Sequence, residues 1–92
     1  MYSKVHAIIK GDVQGVGYRW FVEKTASAAG IDGWVRNLSD GSVEIEAEGL
    51  KEILENFLET LKTGHNWAHV NEIEAEWARA EDVKAGGFRI RS

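Results

Sequence analysis

The chain contains no cysteine and no proline. Without cysteine there is no disulfide framework, no thiolate metal site and no cysteine nucleophile. Apolar runs stop after a few residues, so nothing in the chain reads as a membrane-spanning helix. Met1 to His6 lead straight into a strand-like pattern with no apolar signal-peptide core, and a cytoplasmic location is expected. Clusters of positive charge are also missing. The 11 Lys and Arg face 15 Asp and Glu, a net charge of −4. Nucleic-acid affinity comes mainly from many phosphate contacts, so nucleic acid is not an expected partner, and nor is a membrane. What is present is ordinary globular composition, 43% apolar and 28% charged over 92 residues, enough for one domain spanning residues 1–92.

The charge is unevenly placed. Residues 1–37 carry five basic and three acidic side chains, and residues 38–92 carry six basic and twelve acidic ones. A small anion needs only one well-placed cation and a few N–H groups. The mildly basic first third is therefore where such a site is expected.

The hydrophobic period changes several times along the chain. Val5, Ala7 and Ile9 alternate with His6 and Ile8 as a strand over Lys4 to Lys10. A glycine-rich stretch, Gly11 to Gly17, follows. Tyr18, Phe21, Val22, Thr25, Ala26 and Ala29 then fall on one helical stripe, and Gly30 is placed to end it. Ile31 to Asn37 reads as a second strand, and Asn37 to Ser42 is dense in turn residues. Val43, Ile45 and Ala47 alternate with glutamates as a third strand. Leu50, Ile53, Leu54, Phe57, Leu58 and Leu61 repeat the helical spacing, stopped by Gly64. Residues 65–69 connect to a strand over Val70 to Trp77, with Ile73, Ala75 and Trp77 opposite Glu72, Glu74 and Glu76. Residues 79–87 read as a loop before a short last strand at Phe88 to Arg91. The order β-α-β-β-α-β predicts an α/β (α+β) two-layer sandwich of ferredoxin-like topology, an antiparallel sheet with both helices on one face. Such a fold by itself says nothing about activity.

The chemically informative segment is Gly11 to Arg19. Glycines let a backbone turn its N–H groups inward as a donor nest, and a helix start adds free N–H groups and positive dipole. Arg19 adds a planar fork for two oxygens of one anion. The alternative is a plain connection with a surface arginine. The string Gly15-Val16-Gly17-Tyr18-Arg19-Trp20 is not a dinucleotide fingerprint, because Trp20 stands where the third glycine belongs, and no Walker Gly-Lys-Ser/Thr occurs. Asn37 ends the second strand near the same end of the sheet, where it could hold a water beside an anion or simply open a turn. Gln14 could touch the anion or brace the loop. Asn37-Leu38-Ser39 matches a glycosylation pattern that has no secretory context here.

Gly11-Asp12-Val13-Gln14-Gly15-Val16-Gly17-Tyr18-Arg19 together with Gly33-Trp34-Val35-Arg36-Asn37 resembles the paired signatures of the acylphosphatase family. The likeness continues through Asp40-Gly41-Ser42-Val43-Glu44, Glu48-Gly49 and Phe88-Arg89-Ile90-Arg91, essentially the whole chain. The resemblance implies hydrolysis of the carboxyl–phosphate bond of small acyl phosphates, with no metal or other cofactor, by a chain expected to act as a monomer. It implies that Arg19 and the N–H groups of Gln14, Gly15, Val16, Gly17, Tyr18 and Arg19 hold the phosphate, and that Asn37 positions the attacking water. Where the family often has Gly-Pro-Pro, this chain has Gly64-His65-Asn66-Trp67, which bears on local rigidity and substrate access.

The remaining candidates read as structural. His65 and His69 are four apart without an evident third ligand. His6 lies on a strand face, Tyr18, Phe21 and Phe57 belong to the helical stripes, and the glutamate rows are solvated faces. Two rival functions are an RNA-binding module, for which the RNP1-like string 15–22 falls on a helix rather than the central strand it needs, and an acylphosphatase-like domain that binds or channels a phosphorylated metabolite such as carbamoyl phosphate within a larger system.

Overall fold

The computed structural model describes residues 2–80 and 86–91. Strand β1 runs over Tyr2–Asp12, helix α1 over Tyr18–Ala28, β2 over Asp32–Asn37 and β3 over Val43–Leu50. Helix α2 covers Lys51–Thr63, followed by β4 at His69–Arg79 and β5 at Phe88–Ile90. One five-stranded sheet has the order β4-β1-β3-β2-β5. The loop expected over 79–87 lies partly outside the described residues. Arg79 itself closes β4.

The alternation read from the sequence sorts the sheet into two faces. Val5, Ala7 and Ile9 of β1 and Val43, Ile45 and Ala47 of β3 are fully buried. Against them pack Tyr18, Val22 and Ala26 from α1 and Leu54, Phe57 and Leu61 from α2. Each helix thus buries one stripe, and the apolar surface removed from water is the main force holding the two layers together. The other face is charged and half-exposed. Lys4 pairs with Glu46 at 2.7 Å, Lys10 with Glu74 at 3.3 Å, and Glu44 lies between His6 and Arg36. The hydrogen bond from His6, reinforced by Arg36, holds the Glu44 carboxyl below the usual carboxylate range.

Three expectations need correction. The sheet is mixed, because β5 runs parallel to β2 while the β1–β3, β1–β4 and β2–β3 pairs are antiparallel. The strand directions require this: β2 and β5 both oppose β4, and β5 lies at the edge farthest from it. Second, Ala75 and Trp77 are exposed, since on edge strand β4 the packed core reaches only Val70 and Ile73. Third, Leu50 ends β3 as an exposed residue instead of opening the α2 stripe. Strand β1 also continues two residues past Lys10, because β4 keeps pairing with it beyond a register shift at Lys10/Gly11.

Candidate active site

Strands β1 and β2 both oppose β3 and so end at the same end of the sheet. Between β1 and α1 the chain is anchored by Val13, buried in the core, and by Val16, packed against it. Gly15 and Gly17 have φ of 77° and 76°, left-handed values that a residue with a Cβ adopts only with strain. The glycines thereby let the loop turn over its two valine anchors and enter the helix. Gly17 is the N-cap of α1, and no side chain caps it and no acidic residue lies in the first turn. Helix geometry leaves the N–H groups of Tyr18, Arg19 and Trp20 without intrahelical partners, and the first helical bond runs from Phe21 N–H to the Gly17 carbonyl at 3.1 Å. Among the described residues, the N–H groups of residues 14–17 have no backbone acceptor. Arg19 forms no ion pair among them either. This end of α1 is a run of open donors with one guanidinium beside it.

Asn37, at the end of β2, faces the same corner. Its Oδ1 is buried with no hydrogen-bond partner among the described residues, a state that calls for a donor in the site. The turn after it is rigid. Leu38 N–H bonds the Ser42 carbonyl at 2.9 Å, and the Gly41 N–H bonds Leu38 O at 3.2 Å. Asp40 accepts from both the hydroxyl and the N–H of Ser42, which pull its carboxyl below its ordinary value. Gln14 then joins the turn to the loop. Its Nε2 donates to the carbonyls of Leu38 and Ser42, each at 2.8 Å. Of the two roles open for Gln14, its amide N–H groups therefore serve bracing.

These elements enclose a pocket of about 210 Å³ lined by Gln14, Gly15, Gly17, Tyr18, Arg19 and Asn37, together with Val13, Trp20 and Ile90. All the expected site residues except Val16, whose side chain packs on the core, line it. Trp20 and Ile90 were not anticipated. The sequence held a signal for Trp20: it is a large apolar residue off the helical stripe, next to Arg19. A larger cleft of about 500 Å³ opens by Trp34 on the helix-free face. Its walls carry Arg89 and Arg91 as well as Asp32, Glu46 and Glu48, and neither Arg19 nor Asn37 lines it.

Other candidates fall away from this corner. The Tyr18 hydroxyl donates to the Leu61 carbonyl at 2.8 Å, tying α1 to the last turn of α2, and burial pushes its phenol well above the usual range. His65 accepts the N–H groups of Trp67 and Ala68 on Nδ1, at 3.2 and 3.0 Å, and its ring meets Phe21 edge-on at 5.2 Å. That nitrogen is thus committed to the 65–68 segment, which His65 braces where prolines are expected from the family pattern. No cluster of metal-ligating side chains occurs among the described residues. No helix of the described chain is long and apolar enough to cross a membrane.

What the fold and this corner define is a class, a two-layer α/β domain with open N–H donors, one guanidinium and an asparagine amide gathered around one pocket. The comparisons narrow the class. The family model described as Acylphosphatase matches residues 5–90, so the chain belongs to the acylphosphatase family, enzymes that hydrolyse acyl phosphates. The chain is 48% identical over 84 residues to an acylphosphatase of Thermus thermophilus, covering 91% of this chain and 93% of the relative. To an acylphosphatase of Salinibacter ruber it is 44% identical, covering 97% and 93%. The crystal structure of acylphosphatase from Bacillus subtilis superposes with a TM-score of 0.88 at 37% identity, covering 98% of this chain and 99% of that one.

Proposed function

We propose that Arg19, the open N–H groups of residues 14–19 and Asn37 carry out acyl phosphate hydrolysis by metal-independent attack of water at phosphorus. The phosphoryl oxygens lie in the glycine cradle at the start of α1, where the helix dipole and the N–H donors favour negative charge. The Arg19 fork pairs two of those oxygens. Asn37 orients a water on the face opposite the acyl oxygen. The water oxygen forms a bond to phosphorus, the bond from phosphorus to the bridging acyl oxygen breaks, and its electron pair leaves with the carboxylate. The water proton passes to a phosphate oxygen, since asparagine is too weak a base to keep it. A carboxylate is a good leaving group, so the reaction needs positioning and charge neutralisation more than a general acid. Gln14 acts indirectly, by fixing the turn that begins at Asn37.

The observation that carries this reading is the convergence of the uncapped helix start, Arg19 and the buried, unpartnered Asn37 Oδ1 on one pocket. Purified protein is expected to release phosphate from acetyl phosphate and benzoyl phosphate in the presence of EDTA, and to act poorly on phosphate monoesters. Loss of activity in EDTA, or none on any acyl phosphate, overturns the proposal. The same reading includes a monomer. Antiparallel pairing of two β4 edges with matched faces sets Glu72, Glu74 and Glu76 opposite one another, and like charges directly opposed disfavour pairing. Sedimentation at the assay concentration checks it.

A further inference from the structure

We propose that Trp20 and Ile90 form an apolar subsite for the acyl half of the substrate, so that the enzyme selects acyl phosphates whose acyl group is a flat apolar body such as an aromatic ring. The inference rests on the phosphoryl reading above. Trp20 is 60% exposed and Ile90 42% exposed, and both line the pocket that holds Arg19 and Asn37. The other large exposed apolar side chains, Leu50, Trp67 and Trp77, do not line it. A single exposed apolar residue is unremarkable, but two converging on the edge of a polar pocket make a ligand-facing patch.

The fold explains why they meet. Tyr18 and Val22 turn into the core, so Trp20 between them is directed outward in the first turn of α1, next to Arg19. Ile90 lies two residues after the buried Phe88, on the same helix-bearing face of β5, and pairs with Val35 two residues before Asn37. Lys24, one turn further along α1, places its ammonium 5.2 Å from the Trp20 ring and restrains it by a cation–π contact. The pocket thus has a polar floor for the phosphoryl group and an apolar rim. The acyl group is the part of the substrate that must leave the floor towards that rim. Carboxylate leaving groups of similar basicity react similarly, so a preference between acyl groups reports contact with the rim.

The test is steady-state kinetics with benzoyl and acetyl phosphate on the wild type, Trp20→Ala and Trp20→Phe, with inhibition by inorganic phosphate measured alongside. The wild type is expected to favour benzoyl phosphate by about tenfold in KM, the equivalent of about 1.4 kcal/mol. In Trp20→Ala the benzoyl preference disappears, while Trp20→Phe keeps most of it. Equal KM values in the wild type overturn the proposal, and so does a Trp20→Ala loss that falls equally on both substrates and on phosphate inhibition, which would make Trp20 a support of the cradle. A carboxylate-bearing acyl phosphate with a lower KM than benzoyl phosphate also overturns it, by giving the selective role to Lys24. Hydrolysis of neither substrate by the wild type rejects the phosphoryl reading itself, so the two failures are distinguishable.

Discussion

Arg19 and Asn37 reach one pocket from α1 and β2, and the assigned roles separate on substitution. Arg19→Ala is expected to raise KM and lower kcat, a loss of roughly 3–4 kcal/mol in transition-state stabilisation, comparable to removing one oxyanion donor. Arg19→Lys keeps the charge without the planar fork and should restore little. Asn37→Ala should collapse kcat while inhibition by inorganic phosphate barely moves, because holding the anion does not require the water. Gln14→Ala should follow Asn37→Ala in direction, with a smaller fall in kcat, since it loosens the turn without removing the Asn37 amide. Equal weakening of phosphate inhibition in the three alanine variants would show that the roles are not divided this way. The sequence supplied the identity of these residues through the paired signature and the glycine-rich, mildly basic first third. It left open what the Gln14 amide meets, because its partners are backbone carbonyls at Leu38 and Ser42, distant in sequence and invisible to any residue pattern.

At the scale of elements, helix α1 owes its placement to Tyr18 as much as to its apolar stripe. The buried hydroxyl satisfies a carbonyl in the last turn of α2 that the helix cannot satisfy itself. Tyr18→Phe leaves that carbonyl unpaired and is expected to cost about 1–2 kcal/mol in a denaturant melt. Because the ring and the backbone of the cradle stay in place, inhibition by phosphate should change far less than stability. Both helices were legible because stripes at Tyr18, Val22, Ala26 and at Leu54, Phe57, Leu61 follow a period the sequence carries directly. Strand neighbours were less so. Alternation assigns the faces of β5 but not whether β2 beside it runs with or against it. It also marked Ala75 and Trp77 as inward-facing, while their exposure depends on how far the helices reach across the sheet.

For the molecule as a whole, the sheet order governs how the chain finds its structure. Of the strand pairs that are neighbours in the sheet, only β2 and β3 follow one another directly in the chain, joined by a short turn. Tyr2 lies opposite Leu50 and Ser3 opposite Arg79, so β1, between β4 and β3, cannot pair until distant parts of the chain have closed upon it. The entropy of those closures must be met before the contacts repay it, which places refolding in the millisecond-to-second range typical of non-local topologies. With no proline in the chain, no isomerisation phase on the order of tens of seconds should follow. Stopped-flow circular dichroism is expected to show one slow exponential accounting for the full amplitude, and a helical burst phase without sheet would contradict it. The pocket lined by Arg19 and Asn37 is subject to the same delay. Its loop leaves β1 and its asparagine ends β2, two strands that meet only through β3, so phosphate binding should appear with the final phase and not before it.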